Sequence, residues 1–160
     1  VSPSALAKLE PATEFGGVEA AFARRSAIIR LGEGMLAAPE AQVEIPTVHY
    51  HAEGVYAREV FISAGTALVG KIHKTEHINV VSMGKIVVVT EEGRKIISAP
   101  FTFVAPPGTM RAGFALQDTV WTTFHPASTR DLVQLEDELI AQSYEEFLAL
   151  TAAPIKELDL

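Results

Sequence analysis

The chain has no cysteine in its 160 residues. Disulfides, thiolate metal sites and thiol catalysis are therefore excluded, and the composition suits a reducing compartment. Positive charge is also scarce: 13 Lys and Arg stand against 20 Asp and Glu, for a net charge of −7. Without a concentrated basic patch, nucleic acid is not an expected partner. No apolar run approaches the roughly 20 residues needed to span a bilayer. The opening Val1-Ser2-Pro3-Ser4-Ala5 lacks the basic-then-apolar layout of a secretory signal. A cytoplasmic protein with no membrane partner is the expectation. Gly-rich phosphate loops, dinucleotide fingerprints and nucleophile-elbow sequences are missing too.

What is present is an ordinary globular composition, 48% hydrophobic and 21% charged, with enough chain for one sizeable core. Its acidity is concentrated at one end. Residues 128–160 hold eight of the acids and only two of the bases. Within them a helix is expected from about Thr129 to Leu150. Ser128 or Thr129 can cap it, Asp131 suits its first turn, and Leu132, Leu135, Leu139, Ile140, Phe147 and Leu148 form an apolar stripe. That stripe either covers the body of the protein or mates two chains as a homodimer. Near the other end, the Ala-rich stretch 17–31 spaces Val18, Ala21, Phe22 and Arg25 along one helical face, and Gly32 and Gly34 end or interrupt it. Three segments result: a helical extension over 1–38, a β-rich body over 39–127, and an acidic amphipathic helix and tail over 128–160.

The body changes to short β-branched runs broken by turn residues. Strands are expected near Val55–Ser63, Ala67–His73, His77–Ser82, Ile86–Thr90, Lys95–Ser98, Thr102–Ala105, Met110–Leu116 and Val120–His125. Turns fall at Gly65, Lys74–Glu76, Met83–Lys85, Glu91–Arg94, Pro106–Gly108 and Gln117–Asp118. Such closely spaced strands argue for a mainly β domain, an antiparallel sandwich or barrel.

All five histidines lie in this body, between residues 49 and 125. Imidazole combines metal-ligand capacity with a charge change near neutral pH, so their confinement points to one metal or acid–base site. His73 and His77 are four apart, with Gly84 seven further on. On one straight strand they would stand ~13 Å apart, too far to share an ion. They converge only if Lys74-Thr75-Glu76 reverses the chain. An open catalytic site needs a third ligand. Candidates are His125, His49 and His51, with Glu59 and Glu76 as oxygen donors. A tight hairpin at Gln117-Asp118 would place Phe124 opposite Arg111 and turn His125 away, an orientation that a shift of one residue in register reverses.

This run of strands resembles the cupin superfamily of small double-stranded β-helix (jelly-roll) proteins. Aligned on Gly84, the first cupin motif falls on Lys71, His73 and His77, with lysine at its first histidine and His77 at its glutamate. The second motif appears as Pro106-Pro107-Gly108-Thr109-Met110-Arg111, with arginine at its histidine and Pro100 at the glycine that usually opens it. The resemblance implies a single jelly roll with N- and C-terminal helices. It also implies a divalent metal (Fe, Mn, Ni or Zn) at His73 and His77, for which His125 is the expected third ligand among the candidates above, and a small polar, anionic molecule bound in the barrel.

Arg111 would then be an anion clamp, and Arg58 or Glu59 would point inward beside it. Trp121 would be a wall or stacking surface, and Glu76 or an unligated histidine the proton carrier. Oxygenase, isomerase and lyase chemistry all fit that expectation. The rival readings are a metal-free isomerase or epimerase, a ligand sensor without turnover, and a protein-interaction module.

Overall fold

The structure, a computed structural model, describes residues 17–152. The first sixteen residues of the expected N-terminal extension, with Pro11, and the end of the acidic tail, with Lys156, Glu157 and Asp159, lie outside the described residues. The described chain begins with helix α1 (Val18–Leu36), followed by a short 3-10 turn over Pro39–Ala41. The strands then run β1 (Thr47–Ala52), β2 (Val55–Ile62), β3 (Ala67–Val69), β4 (Ile72–His73), β5 (His77–Met83) and β6 (Lys85–Thr90). After them come β7 (Gly93–Ser98), β8 (Phe101–Ala105), β9 (Arg111–Ala115) and β10 (Thr119–Pro126). Helix α2 (Leu132–Leu139), strand β11 (Ile140–Ala141) and helix α3 (Tyr144–Thr151) close the described part.

Two antiparallel sheets face each other, in the orders β1-β2-β10-β5-β8 and β3-β9-β6-β7, and β4 pairs with β11 in a separate two-strand ladder. This is the mainly β antiparallel sandwich expected from the strand pattern, in the jelly-roll form that the resemblance implies. Ile62, Val81 and Trp121 from the larger sheet meet Ile86, Val88 and Ala115 from the smaller one between them. The smaller sheet is also covered outside, where Ile28 of α1 packs on Val87, Val89, Ala112 and Phe114. That double burial explains why Ile86-Val87-Val88-Val89 is continuously apolar instead of alternating. Each such side chain contributes about 1.5–3 kcal/mol by leaving water.

Two turns require glycine. At Gly84, φ is +92° and a Cβ would lie 2.1 Å from the Asp118 carbonyl oxygen. At Gly108, φ is +77° and a Cβ would lie 2.2 Å from the ring of Phe147, which seats α3 on the Pro106-Pro107-Gly108 turn.

Several expectations need correcting. Helix α1 continues through Gly32 and Gly34 to Leu36, and its packed residues are Ala20 and Ile28; Val18 and Phe22 of the expected face are 85% and 66% exposed. The run Ala67–His73 divides into β3 and β4 at Gly70-Lys71. The single helix expected from Thr129 to Leu150 is two helices separated by β11. Ile140 and Ala141 leave helical geometry to pair with His73 and Ile72, and Ser143 caps the next helix by accepting from Glu146 N at 3.1 Å. Its stripe serves the first expected use, covering the barrel, because Leu135, Leu139 and Ile140 pack on Tyr56. Finally, β9 and β10 form no hairpin. They lie in opposite sheets, with β10 between β2 and β5.

Candidate functional site

That last correction decides where His125 points. In β2 the inward residues are Tyr56, Arg58, Val60 and Ile62; in β10 they are Trp121, Thr123 and His125. His125 stands opposite Tyr56. On the other side of β10, Phe124 pairs with Ile78, which brings His125 beside His77. The chain does reverse at Lys74–Glu76, carrying it from β4 to β5 and folding His73 over His77. The ring centroids of His73 and His77 are 4.0 Å apart, and His125 is 4.9 Å from each. Tyr56 joins the other two histidines to this group: its ring lies 6.1 Å from His125, 5.4 Å from His51 and 5.9 Å from His49. Tyr56 Oη and His49 Nδ1 share a hydrogen bond of 2.8 Å.

The imidazoles of His73, His77 and His125 favour their neutral forms. Burial, then the neighbouring His77 and His125, lowers the pKa of His73 to about 2. Burial, then His77, lowers that of His125 to about 4, and burial also lowers that of His77. His77 Nδ1 donates to the Thr75 carbonyl at 3.1 Å. With the proton on Nδ1, the lone pair of Nε2 is free, and this buried atom has no partner; buried His125 Nδ1 has none either. Neutral imidazoles with an oriented tautomer and free lone pairs suit a divalent metal. The nitrogens are not converged, however: among the described residues no group of three or more His, Asp or Glu forms a ready ion site.

The adjoining cavity has a volume of about 340 Å³. His73, His125, Arg58, Arg111 and Trp121 line it, whereas His77 is buried behind them. Arg111 Nη1 donates to Asn79 Oδ1 at 3.3 Å, and the same oxygen accepts from Trp121 Nε1 at 3.0 Å. The guanidinium lies 5.6 Å from the Phe103 ring and 5.7 Å from that of Trp121. Burial lowers the Arg111 pKa to about 10 against the opposing pull of Glu91, so it is cationic at neutral pH.

Two expected site residues are elsewhere. Glu76 is exposed in the turn between β4 and β5, outside the cavity, and cannot carry a proton there. Glu59 faces the opposite side of β2 from Arg58, as strand alternation demands; on the outer surface it accepts from Tyr50 Oη at 3.3 Å and Thr122 Oγ1 at 3.2 Å. Lys71, at the position of the first motif histidine, forms an ion pair with Glu136 of α2.

Sequence reasoning missed two participants. Asn79 had a readable signal, because it sits in phase with His77 and Val81 on an alternating strand. Strand β1, which presents His49, had almost none, since its inward residues are Thr47 and His49 rather than aliphatic side chains.

No family model matches the chain, and no curated protein matches it in sequence. Among solved structures, it is similar to a salicylate 1,2-dioxygenase from Pseudaminobacter salicylatoxidans, with 12% identity and a TM-score of 0.50 over 71% of this chain and 36% of that one. It is also similar to KdgF from a Halomonas species, with 24% identity and a TM-score of 0.46 over 54% of this chain and 84% of that one. The cupin domain of Schizosaccharomyces pombe Cnp3 gives 15% identity and a TM-score of 0.44 over 60% and 74%. At 12% identity the likeness to the dioxygenase is one of fold alone.

Proposed function

We propose that this chain, which has the cupin fold, binds a small anionic molecule in its barrel beside a divalent metal held by His73, His77 and His125. The observation that carries the reading is the clustering of three neutral imidazoles within 4.9 Å, two of them with buried nitrogens lacking any partner. Fe, Mn, Ni and Zn all suit imidazole donors. When bound, such an ion supplies Lewis acidity.

The chain's own residues do the rest. Arg111 receives the anion, Asn79 and Trp121 hold Arg111 in place, and α2 excludes water from the mouth. Tyr56, hydrogen-bonded to His49, is the residue positioned to hold a proton at the cavity wall. Oxygenase, isomerase and lyase reactions all use these parts.

Elemental analysis of the purified protein tests the reading. About one divalent ion per chain is expected, falling sharply in His73→Ala and His77→Ala. Equal metal retention in both variants and the parent overturns it. A metal-free isomerase or epimerase is the second reading, favoured by the unconverged nitrogens; stoichiometric metal in the parent discounts it.

A further inference from the structure

The larger sheet arranges its inward side chains in rows. One row, at the end covered by α2, contains Tyr56, His125 and His77. The next contains His49, Arg58, Thr123 and Asn79, which are direct partners across four strands. Arg111 reaches this second row from the facing sheet through its bond to Asn79. Two guanidinium groups thus enter the cavity at one level, one from each sheet. Alternate residues on a strand are about 6.6 Å apart, so this level lies one step below His77 and His125.

Among the described residues, no carboxylate lies within ion-pair distance of Arg58 or Arg111. The nearby acids are engaged elsewhere: Glu136 lines the cavity but is paired with Lys71, Glu59 bonds on the outer surface, and Glu91 accepts from Met110 N at 3.0 Å and from Arg25 at 3.4 Å. Both guanidinium groups are half-buried and neither has a carboxylate partner; charge drawn partly out of water favours a counter-ion, and two such groups facing one space call for an anion. Much of the remaining wall is aliphatic, with Val60, Ile62, Leu68, Ile86 and Val88 below the arginines and Leu135 above, and the charged Lys71 and Glu136 of the lining pair with each other.

We infer that the cavity takes an amphiphilic carboxylate. Its head lies between Arg58 and Arg111, and its hydrocarbon or aryl body lies against the aliphatic wall. This ligand class rests on the anion-binding reading above and names what that reading leaves open. A carboxylate is planar, as each guanidinium is, and accepts paired hydrogen bonds. It also brings less charge to desolvate than a phosphate dianion does in a chamber with this wall. At roughly 30 Å³ for each water-sized group, the volume holds about ten heavy atoms.

Calorimetry on chelator-treated, metal-free protein separates this inference from the metal assignment. Benzoate and 4-methylpentanoate are expected to bind at least tenfold more tightly than acetate, inorganic phosphate or the neutral benzamide. Arg58→Gln and Arg111→Gln should each weaken benzoate at least tenfold. Phosphate binding as tight as benzoate overturns the inference. So does benzamide matching benzoate, or both arginine variants retaining full benzoate affinity. If a variant does not fold, the benzoate-to-benzamide ratio on the parent protein still decides. Loss of the metal reading by elemental analysis leaves these titrations unaffected.

Discussion

At His77 a single hydrogen bond, from Nδ1 to the Thr75 carbonyl, fixes which nitrogen carries the proton and which is free. His73 and His125 are held neutral beside it by burial and by the other imidazoles. In the unfolded chain each takes up a proton near 6.5. Below that pH the unfolded state binds more protons, so the stability these groups contribute is present above about 6.5 and is lost as pH falls toward about 4 for His125 and about 2 for His73. Thermal unfolding should therefore show a Tm that is level above pH 7 and declines steadily toward pH 4, with a shallower decline in His125→Asn. Equal Tm values at pH 7.5 and pH 5 would show that the rings reach water. At the same scale, Gly84→Ala meets both a positive φ and the Asp118 carbonyl. A loss of about 2 kcal/mol or more is expected in denaturant titration.

Much of this was legible residue by residue. The bend between His73 and His77 followed from β-branched flanks around Lys74-Thr75-Glu76. Alternation on strand β2 required that one of Arg58 and Glu59 point inward and the other outward, but not which of the two. Glu76 misled because an acid next to a histidine in sequence is, in a turn, free to face outward.

Helix α2 shows where local pattern runs out. Leu135, Leu139 and Ile140 continue one stripe, and nothing in their periodicity marks a break. The break comes from a distant segment, Ile72-His73, which captures Ile140-Ala141 as a strand partner and overrides helix propensity. The captured segment is fastened further by the Lys71–Glu136 ion pair and by Lys74 Nζ donating to the Asp137 carbonyl at 2.7 Å. An exposed pair is worth about 0–1 kcal/mol. Glu136→Gln should accordingly speed amide hydrogen exchange over residues 132–141 by up to about fivefold, while exchange in β6 and β10 stays unchanged. Uniform acceleration throughout the barrel would mean that α2 does not open by itself.

For the whole molecule, the decisive fact was the assignment of strands to sheets. A two-residue turn at Gln117-Asp118 invites a hairpin, because sequential strands usually pair. Instead β9 and β10 cross between sheets, so the arginine and the third histidine confront each other across the barrel. No local signal in Arg111–His125 distinguishes these outcomes; the partners of each strand lie far away in sequence. If the imidazole cluster binds metal, the folded state gains about 2.7 kcal/mol at a free metal concentration 100 times Kd. Thermal scans with added Zn or Co should raise Tm by several degrees in the parent protein and not in His77→Ala. No shift in either would disconnect the cluster from metal.

The ladder in which Ile140 stands opposite His73 ties two parts together. The roof over the chamber and one of the imidazoles are thus fastened to the same short ladder, and a substitution that loosens the roof should be felt at His73 before it is felt anywhere deeper in the barrel.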